Sequence, residues 1–311
     1  MSVHDNNTET IVRATGLLVI EAINSNPNGN PDQESDPRQR PDEKGEISPV
    51  SFKRKIRDLV EDKEGPVWQH ASASCKPALN SDQFSILESR QRDRPTIIQE
   101  IRSDKFIQKY WDARVFGCTF LEKDKGKTDN KDESTQKKSK LSFIRTGVVQ
   151  FGLGISIAPI LIERMTTTNP SVQEGKAGGM APLGYRVVQH GVYCMPFFIN
   201  PTAAMKTGCS KQDIDLLLRI IPYAYAHTAS YVRPFVGIRH AWYIEHKSAL
   251  GSCSDFELIA ALTPKKKNDP ERPSTVWEEY EVPAPLPETL KGRIASISDL
   301  MSQDYDGNAR T

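Results

Sequence analysis

Phe52-Lys-Arg-Lys-Ile-Arg57 carries four cations within six residues: Lys53, Arg54, Lys55 and Arg57. On a helix, Lys53 and Arg57 are i and i+4 neighbours, and Arg54 and Arg57 are i and i+3 neighbours. Cations so placed can hold successive phosphates of a nucleic-acid backbone. The same spacing also suits an ordinary solvated helix face. Upstream lies Asn24-Ser-Asn-Pro-Asn-Gly-Asn-Pro-Asp32, where Asn-Pro and Asn-Gly both favour chain reversal. A turn whose backbone amides point outward offers a second way to approach a phosphate.

Other chemistries fail on spacing. Asn24-x-Asn26-x-Asn28-Gly29 has the outline of a calcium loop, but Pro27 sits inside it and Ser35 stands where a bidentate Glu belongs. Gly152-Leu-Gly154 lacks the third glycine of a dinucleotide fingerprint, because Ile157 occupies that place. No Walker A, HExxH, GxSxG or paired DxD run occurs. His240 and His246 share one strand region and read as structural. The five cysteines (Cys75, Cys118, Cys194, Cys209, Cys253) form no CxxC pair, so neither a zinc knuckle nor a disulfide framework is expected. The residues therefore predict no catalytic constellation, no metal and no cofactor.

The chain of 311 residues is 37% hydrophobic and 26% charged, which suits a soluble protein in a reducing, cytoplasmic setting. No secretory signal or membrane span is expected. Net charge is +1, but it is unevenly distributed. Arg38–Arg57 holds seven cations against three anions, and Cys253–Pro283 holds four against seven. A basic region can meet a polyanion while an acidic one docks elsewhere.

These groups must be positioned by the elements around them. Thr15–Ile23 predicts a buried strand. Ser48 and Pro49 predict the start of a helix with Phe52, Ile56, Leu59 and Val60 inward. Residues 95–110 predict a second helix, and Ala113–Phe120 a strand. Residues 121–140 predict a mobile charged loop, with seven cations and five anions. Leu141–Leu161 is β-rich, and turn-rich Thr166–Gly184 predicts a protruding insertion. Val187–Ile199 returns as a strand. Ser210 and Asp213 predict a capping pair opening a helix that Pro222 kinks or divides. Phe235–Ile244 and Phe256–Thr263 predict strands, Pro287–Met301 a C-terminal helix, and residues 302–311 a flexible tail. The order predicts one α+β domain: a modified RNA-recognition or ferredoxin-like core, an antiparallel sheet with helices on one face. The other face is then expected to be free.

Asn26-Pro-Asn-Gly-Asn-Pro-Asp32, Phe52-Lys-Arg-Lys-Ile-Arg57, Tyr110-Trp-Asp-Ala-Arg-Val-Phe-Gly117, Gly147-Val-Val-Gln-Phe-Gly152 and Glu163-Arg-Met-Thr-Thr167 occur in this order. Together they resemble the Cas7 backbone subunits of type I-C and type I-B CRISPR surveillance complexes, over residues 15 to 263. The resemblance implies a non-catalytic subunit that polymerises along a guide RNA (crRNA) and presents it for pairing with target DNA, beside other Cascade subunits. It implies RNA contacts at Asn28, Gly29, Lys53, Arg54, Arg57, Gln150 and Arg164. It implies a thumb over residues 165–186 that kinks the RNA, with Met180, Leu183 and Arg186 as its working residues. The sequence departs from the family at Asn30, Pro49, Ile155 and Ala158. Ile155 stands where the family carries an Arg, which removes an expected RNA contact or ion pair. Two rivals remain at this point. One is an endoribonuclease cutting target RNA with a loop aspartate, Asp32 or Asp36. The other is an adaptor that binds only protein.

Overall fold

Leu17-Leu18-Val19-Ile20 is apolar at every position, so both faces of the strand containing it must be buried. In the computed structural model, which describes residues 10–90, 94–101, 105–121, 142–170, 180–283 and 286–302, this run is the centre of the sheet. In chain order the strands and helices are β1 (Ala14–Ser25), β2 (Lys44–Ile47), α1 (Pro49–Glu61), α2 (Pro66–Ser74), α3 (Arg94–Ile101), α4 (Lys105–Lys109) and α5 (Trp111–Phe116). Then come β3 (Gly117–Leu121), β4 (Ser142–Thr146), β5 (Val149–Phe151), β6 (Gly154–Pro159), β7 (Ile162–Pro170) and β8 (Met180–Ile199). The last are α6 (Pro201–Thr207), α7 (Lys211–Ile220), β9 (Val236–His246), α8 (Asp255–Leu262), β10 (Lys265–Lys266), β11 (Tyr280–Glu281), α9 (Glu288–Lys291) and β12 (Ile294–Asp299).

The fold is α+β. An eight-stranded sheet runs β12-β9-β1-β8-β6-β2, with β5 and β7 also paired to β8. All its pairings are antiparallel. On one face Leu18, Ile20, Met195 and Phe197 pack with Phe52 and Ile56 of α1, Trp111 of α5 and Leu217 of α7. On the other, Leu17, Val19, Val192 and Ile244 meet Leu258 and Leu262 of α8, then Tyr280 and Leu290. The second face is therefore covered rather than free. Strand alternation sends odd and even residues of the apolar run to opposite cores.

The long strand β8 reaches past the sheet. β1 accompanies it only as far as Val188, and from Val187 back to Met180 its partner is β7 alone. The stretch read as a turn-rich insertion is thus a two-stranded arm on either side of residues 171–179, which lie outside the described residues. So do 122–141 of the charged stretch and 303–311 of the tail.

Four elements differ from the sequence reading. Ala113–Phe120 divides into the end of α5 and the start of β3, pivoting at Gly117, whose φ is +79°. Phe256–Thr263 is not a strand but the helix α8, with Leu258 and Leu262 one turn apart and inward. Short apolar runs do not distinguish helix from strand by periodicity. Pro287–Met301 is helical only to Lys291, after which β12 pairs with the edge of β9. Leu290, Ile294 and Leu300 are buried all the same. The 95–110 helix is likewise two short ones, α3 and α4.

Gly117 has ψ 174°, a backbone region held almost only by glycine, and an added Cβ would lie 2.3 Å from the Arg145 carbonyl oxygen. Gly117→Ala should destabilise the chain by about 1–3 kcal/mol, read as a lowered urea midpoint with unchanged slope.

Candidate nucleic-acid groove

α1 begins where the asparagine-rich loop fastens it. Ser48 is the N-cap and its hydroxyl accepts from the Ser51 amide at 3.2 Å. The Asn28 side-chain carbonyl in turn accepts from the Ser48 amide and hydroxyl, both at 2.8 Å. The Asn28 amide group donates to the Gly29 carbonyl at 2.8 Å. Asn28 is buried, and a Cβ on Gly29 would stand 2.9 Å from the Ser35 carbonyl oxygen. Both residues therefore shape the loop and lock it to the helix start.

The cations of α1 have unequal fates. Arg57 points inward. Its Nε donates to Asp112 Oδ2 at 2.8 Å, and Asp112 also accepts from the amides of Leu87 at 2.7 Å and Glu88 at 3.1 Å. This pair is almost solvent-free, with side-chain exposures of 10% and 1%. Lys53 lies over the Phe116 ring at 5.2 Å, and burial, with the Arg57 charge adding, holds its ammonium below the usual lysine range. Arg54 pairs with Asp58 at 3.5 Å and donates to the Glu88 carbonyl. Lys55, counted among the four cations but not among the implied RNA contacts, donates to the Thr228 hydroxyl at 3.1 Å.

A groove lies at the end of the central strands, not on a sheet face. One cavity of about 590 Å³ is lined by Asn28, Gly29, Asp36, Arg164, Arg186 and Arg233, among others. Arg164 and Arg186 are directly opposed across β7 and β8, both exposed, and Arg186 makes an ion pair with Asp36. A second cavity, about 520 Å³, adjoins it and includes Arg54, Lys55, Arg90 and His227. Ser51 and Arg233 line both.

The structure thus gathers Asn28, Gly29, Arg164 and Arg186 on one cavity and Arg54 on the next. Lys53, Arg57 and Gln150 line neither; Gln150 is exposed on β5 and donates to the Gly147 carbonyl at 3.1 Å. Met180 and Leu183 pair in register with Pro170 and Thr167, but their side chains lie outside what is described. Asp32 is exposed and lines neither cavity.

Sequence reasoning missed the segment before β9. Tyr231 and Phe235 are each 63% exposed and flank Arg233 in the chain. The Tyr231 ring meets Tyr185 of the arm edge-on, centroids 5.4 Å apart. Alternating aromatic and cationic residues, Tyr231-Val-Arg-Pro-Phe235, were the available signal, because exposed rings beside cations can stack bases while the cations hold phosphates.

Among the described residues no group of three or more His, Cys, Asp or Glu side chains could hold a metal, and no helix is long and apolar enough to cross a membrane.

Comparison with known proteins agrees with the motifs. A relative from Haloferax volcanii named CRISPR-associated protein Cas7 is 23% identical over 227 residues, covering 67% of this chain and 62% of the relative. The match therefore spans less than two thirds of that relative's length. A chain of a CRISPR RNA-guided surveillance complex in a pre-nicking state is 11% identical, with TM-score 0.42 over 75% of this chain and 78% of that one. A chain of the type III-B Cmr-beta complex bound to cognate target RNA is 12% identical, with TM-score 0.39 over 75% and 61%. The family model for CRISPR-associated protein Cas7 matches residues 12–284, and this chain belongs to that family.

Proposed function

We propose that the chain is a guide-RNA-binding backbone subunit of a type I CRISPR surveillance complex. Copies of it would stack along one crRNA in the cytoplasm, beside other subunits, and present the guide to target DNA. The observation that carries this reading is the pair of adjoining cavities joined at Ser51 and Arg233, with cations drawn from α1, the β7–β8 arm and the segment before β9. Cations from separate segments can follow a bent backbone, whereas one helix face offers only a straight row. Affinity would come from phosphates and be indifferent to RNA sequence, and guide–target pairing would supply specificity.

Protein purified natively at low salt should carry RNA, seen as excess absorbance at 260 nm that ribonuclease and high salt remove. A clean protein spectrum at low salt would favour the protein-only adaptor. We also propose that the subunit is not a nuclease. The Asp36 carboxylate is engaged by Arg186, which supports a positioning role for it. Incubating the assembled complex with complementary RNA and magnesium should leave the RNA intact. Staggered cuts lost on Asp32→Ala or Asp36→Ala would reverse that reading.

A further inference from the structure

The sheet has one edge without the usual guards. β12 ends the strand order and pairs with β9 alone. Among the described residues no hydrogen bond outside that ladder reaches the backbone of residues 294–298. Soluble proteins commonly guard such an edge with Lys, Pro or a very short strand. β2, at the opposite edge, has four residues and carries Lys44 and Glu46. β12 reads Ile-Ala-Ser-Ile-Ser-Asp. Its one charge, Asp299, is turned back onto His240 at 2.8 Å and the Ala241 amide at 2.9 Å. A register shift against β9 touches only its start, between Ile294 and Ser296.

A cavity of about 450 Å³ adjoins this edge, between β9, β12 and α7. Ile11, Ile214, Leu218, Pro222 and Leu300 make much of its wall apolar. From β12 it is also lined by Ser298, and Ser296, two residues away on the same side of the strand, donates to Glu245 at 3.0 Å. Two serines are too small to fill the space beside them. Most charges of the lining are engaged. Lys211 pairs with Asp215 at 3.1 Å, and Glu245 also accepts from the Tyr243 hydroxyl at 3.2 Å. Arg219 is half-buried, hydrogen-bonds with the Cys75 side chain, and makes no ion pair among the described residues. None of these residues lines the two cavities of the groove.

We propose that the β12 edge takes up an extended segment of another protein as an added strand. One apolar side chain of that segment enters the cavity, and a carboxylate two residues along meets Arg219. A sheet edge offers a row of alternating donors and acceptors, which the backbone of an extended chain matches rung by rung. Residues two apart in a strand project to the same face, about 7 Å from each other. The main chain then supplies affinity, while the apolar wall and the unpaired guanidinium select the side chains. The surface is separate from the RNA reading above, and neither depends on the other.

The test uses the full chain and a fluorescein-labelled peptide, Ser-Thr-Val-Leu-Thr-Glu-Thr-Ser, followed by anisotropy and by amide hydrogen exchange. The peptide should bind saturably and slow exchange in residues 294–299. Arg219→Gln should weaken it about tenfold. A peptide with Gln in place of its Glu should start about tenfold weaker and lose nothing further on Arg219→Gln. Ser298→Phe, which fills the space beside the edge, should abolish binding of both peptides while the protein melts as the wild type does. Methylating the peptide's backbone amides should abolish binding without any change to the protein. Failure to bind either the wild type or a chain lacking residues 303–311 overturns the proposal and leaves the RNA reading standing. Binding to the shortened chain alone would make the chain's own end the occupant, which also overturns it. Binding that survives both substitutions, or that single-stranded RNA displaces, would likewise refute a protein-binding edge at β12.

Discussion

Arg57→Ala should destabilise the chain by about 3–5 kcal/mol, because it leaves the buried Asp112 carboxylate without its cation. Urea unfolding of RNA-free protein measures this directly. Asp112 organises more than one element: it receives two backbone amides from the Leu87–Glu88 turn while holding α1 through Arg57. Asp112→Asn, whose single carbonyl oxygen can still accept the Leu87 amide, should cost less than Asp112→Ala. The result bears on how the basic helix is tested. A charge reversal of Lys53, Arg54 and Arg57 together would place a carboxylate against Asp112 and lose RNA by unfolding. Loss of RNA in that variant therefore says nothing about contacts. A destabilisation below about 1 kcal/mol for Arg57→Ala would mean that the ion pair does not anchor the helix.

The complementary variant is Arg164→Gln, Arg186→Gln and Arg233→Gln together. Each removed phosphate contact to a single strand lowers the salt slope by about 0.7, so the triple variant should lose about 2.1 and bind RNA weakly at physiological salt. The folded state should survive, since Arg164 and Arg186 are exposed and Arg233 is half-buried. Surface substitutions of that kind change stability by about 0.5 kcal/mol or less. Anisotropy over a salt series and one thermal melt check both halves. An unchanged slope with intact folding would move the RNA path away from the arm.

Much of the local structure was legible in the sequence. Ser48-Pro49 and the Ser210–Asp213 capping box open α1 and α7 as the cap rules require. The Leu17–Ile20 run sits at the centre of the sheet. The helical stripe of Phe52, Ile56, Leu59 and Val60 is buried. The α8 and β12 segments were misread because their apolar spacing fits both periods, and the choice was made by distant partners. Leu258 and Leu262 found the second face of β1, and Ile294–Asp299 found the open edge of β9. The same apolar run that predicted a buried strand also implied two covered faces, an implication that the ferredoxin-like reading left out.

The family, the α+β class and a cluster of cations beside an asparagine-rich loop were all legible before folding was considered. These are properties of types and spacing along the chain. Which cations face solvent follows from the fold, because it depends on where residues far apart in sequence meet. Asp112 lies 55 positions from Arg57 and draws it inside, while Arg233 lies far from α1 in sequence yet lines the same cavity as Lys55. Charge count along a helix therefore located the neighbourhood of the cavities, and burial sorted the cations: an ion pair within hydrogen-bond distance holds Arg57 inside, while Arg164 and Arg186 stay exposed.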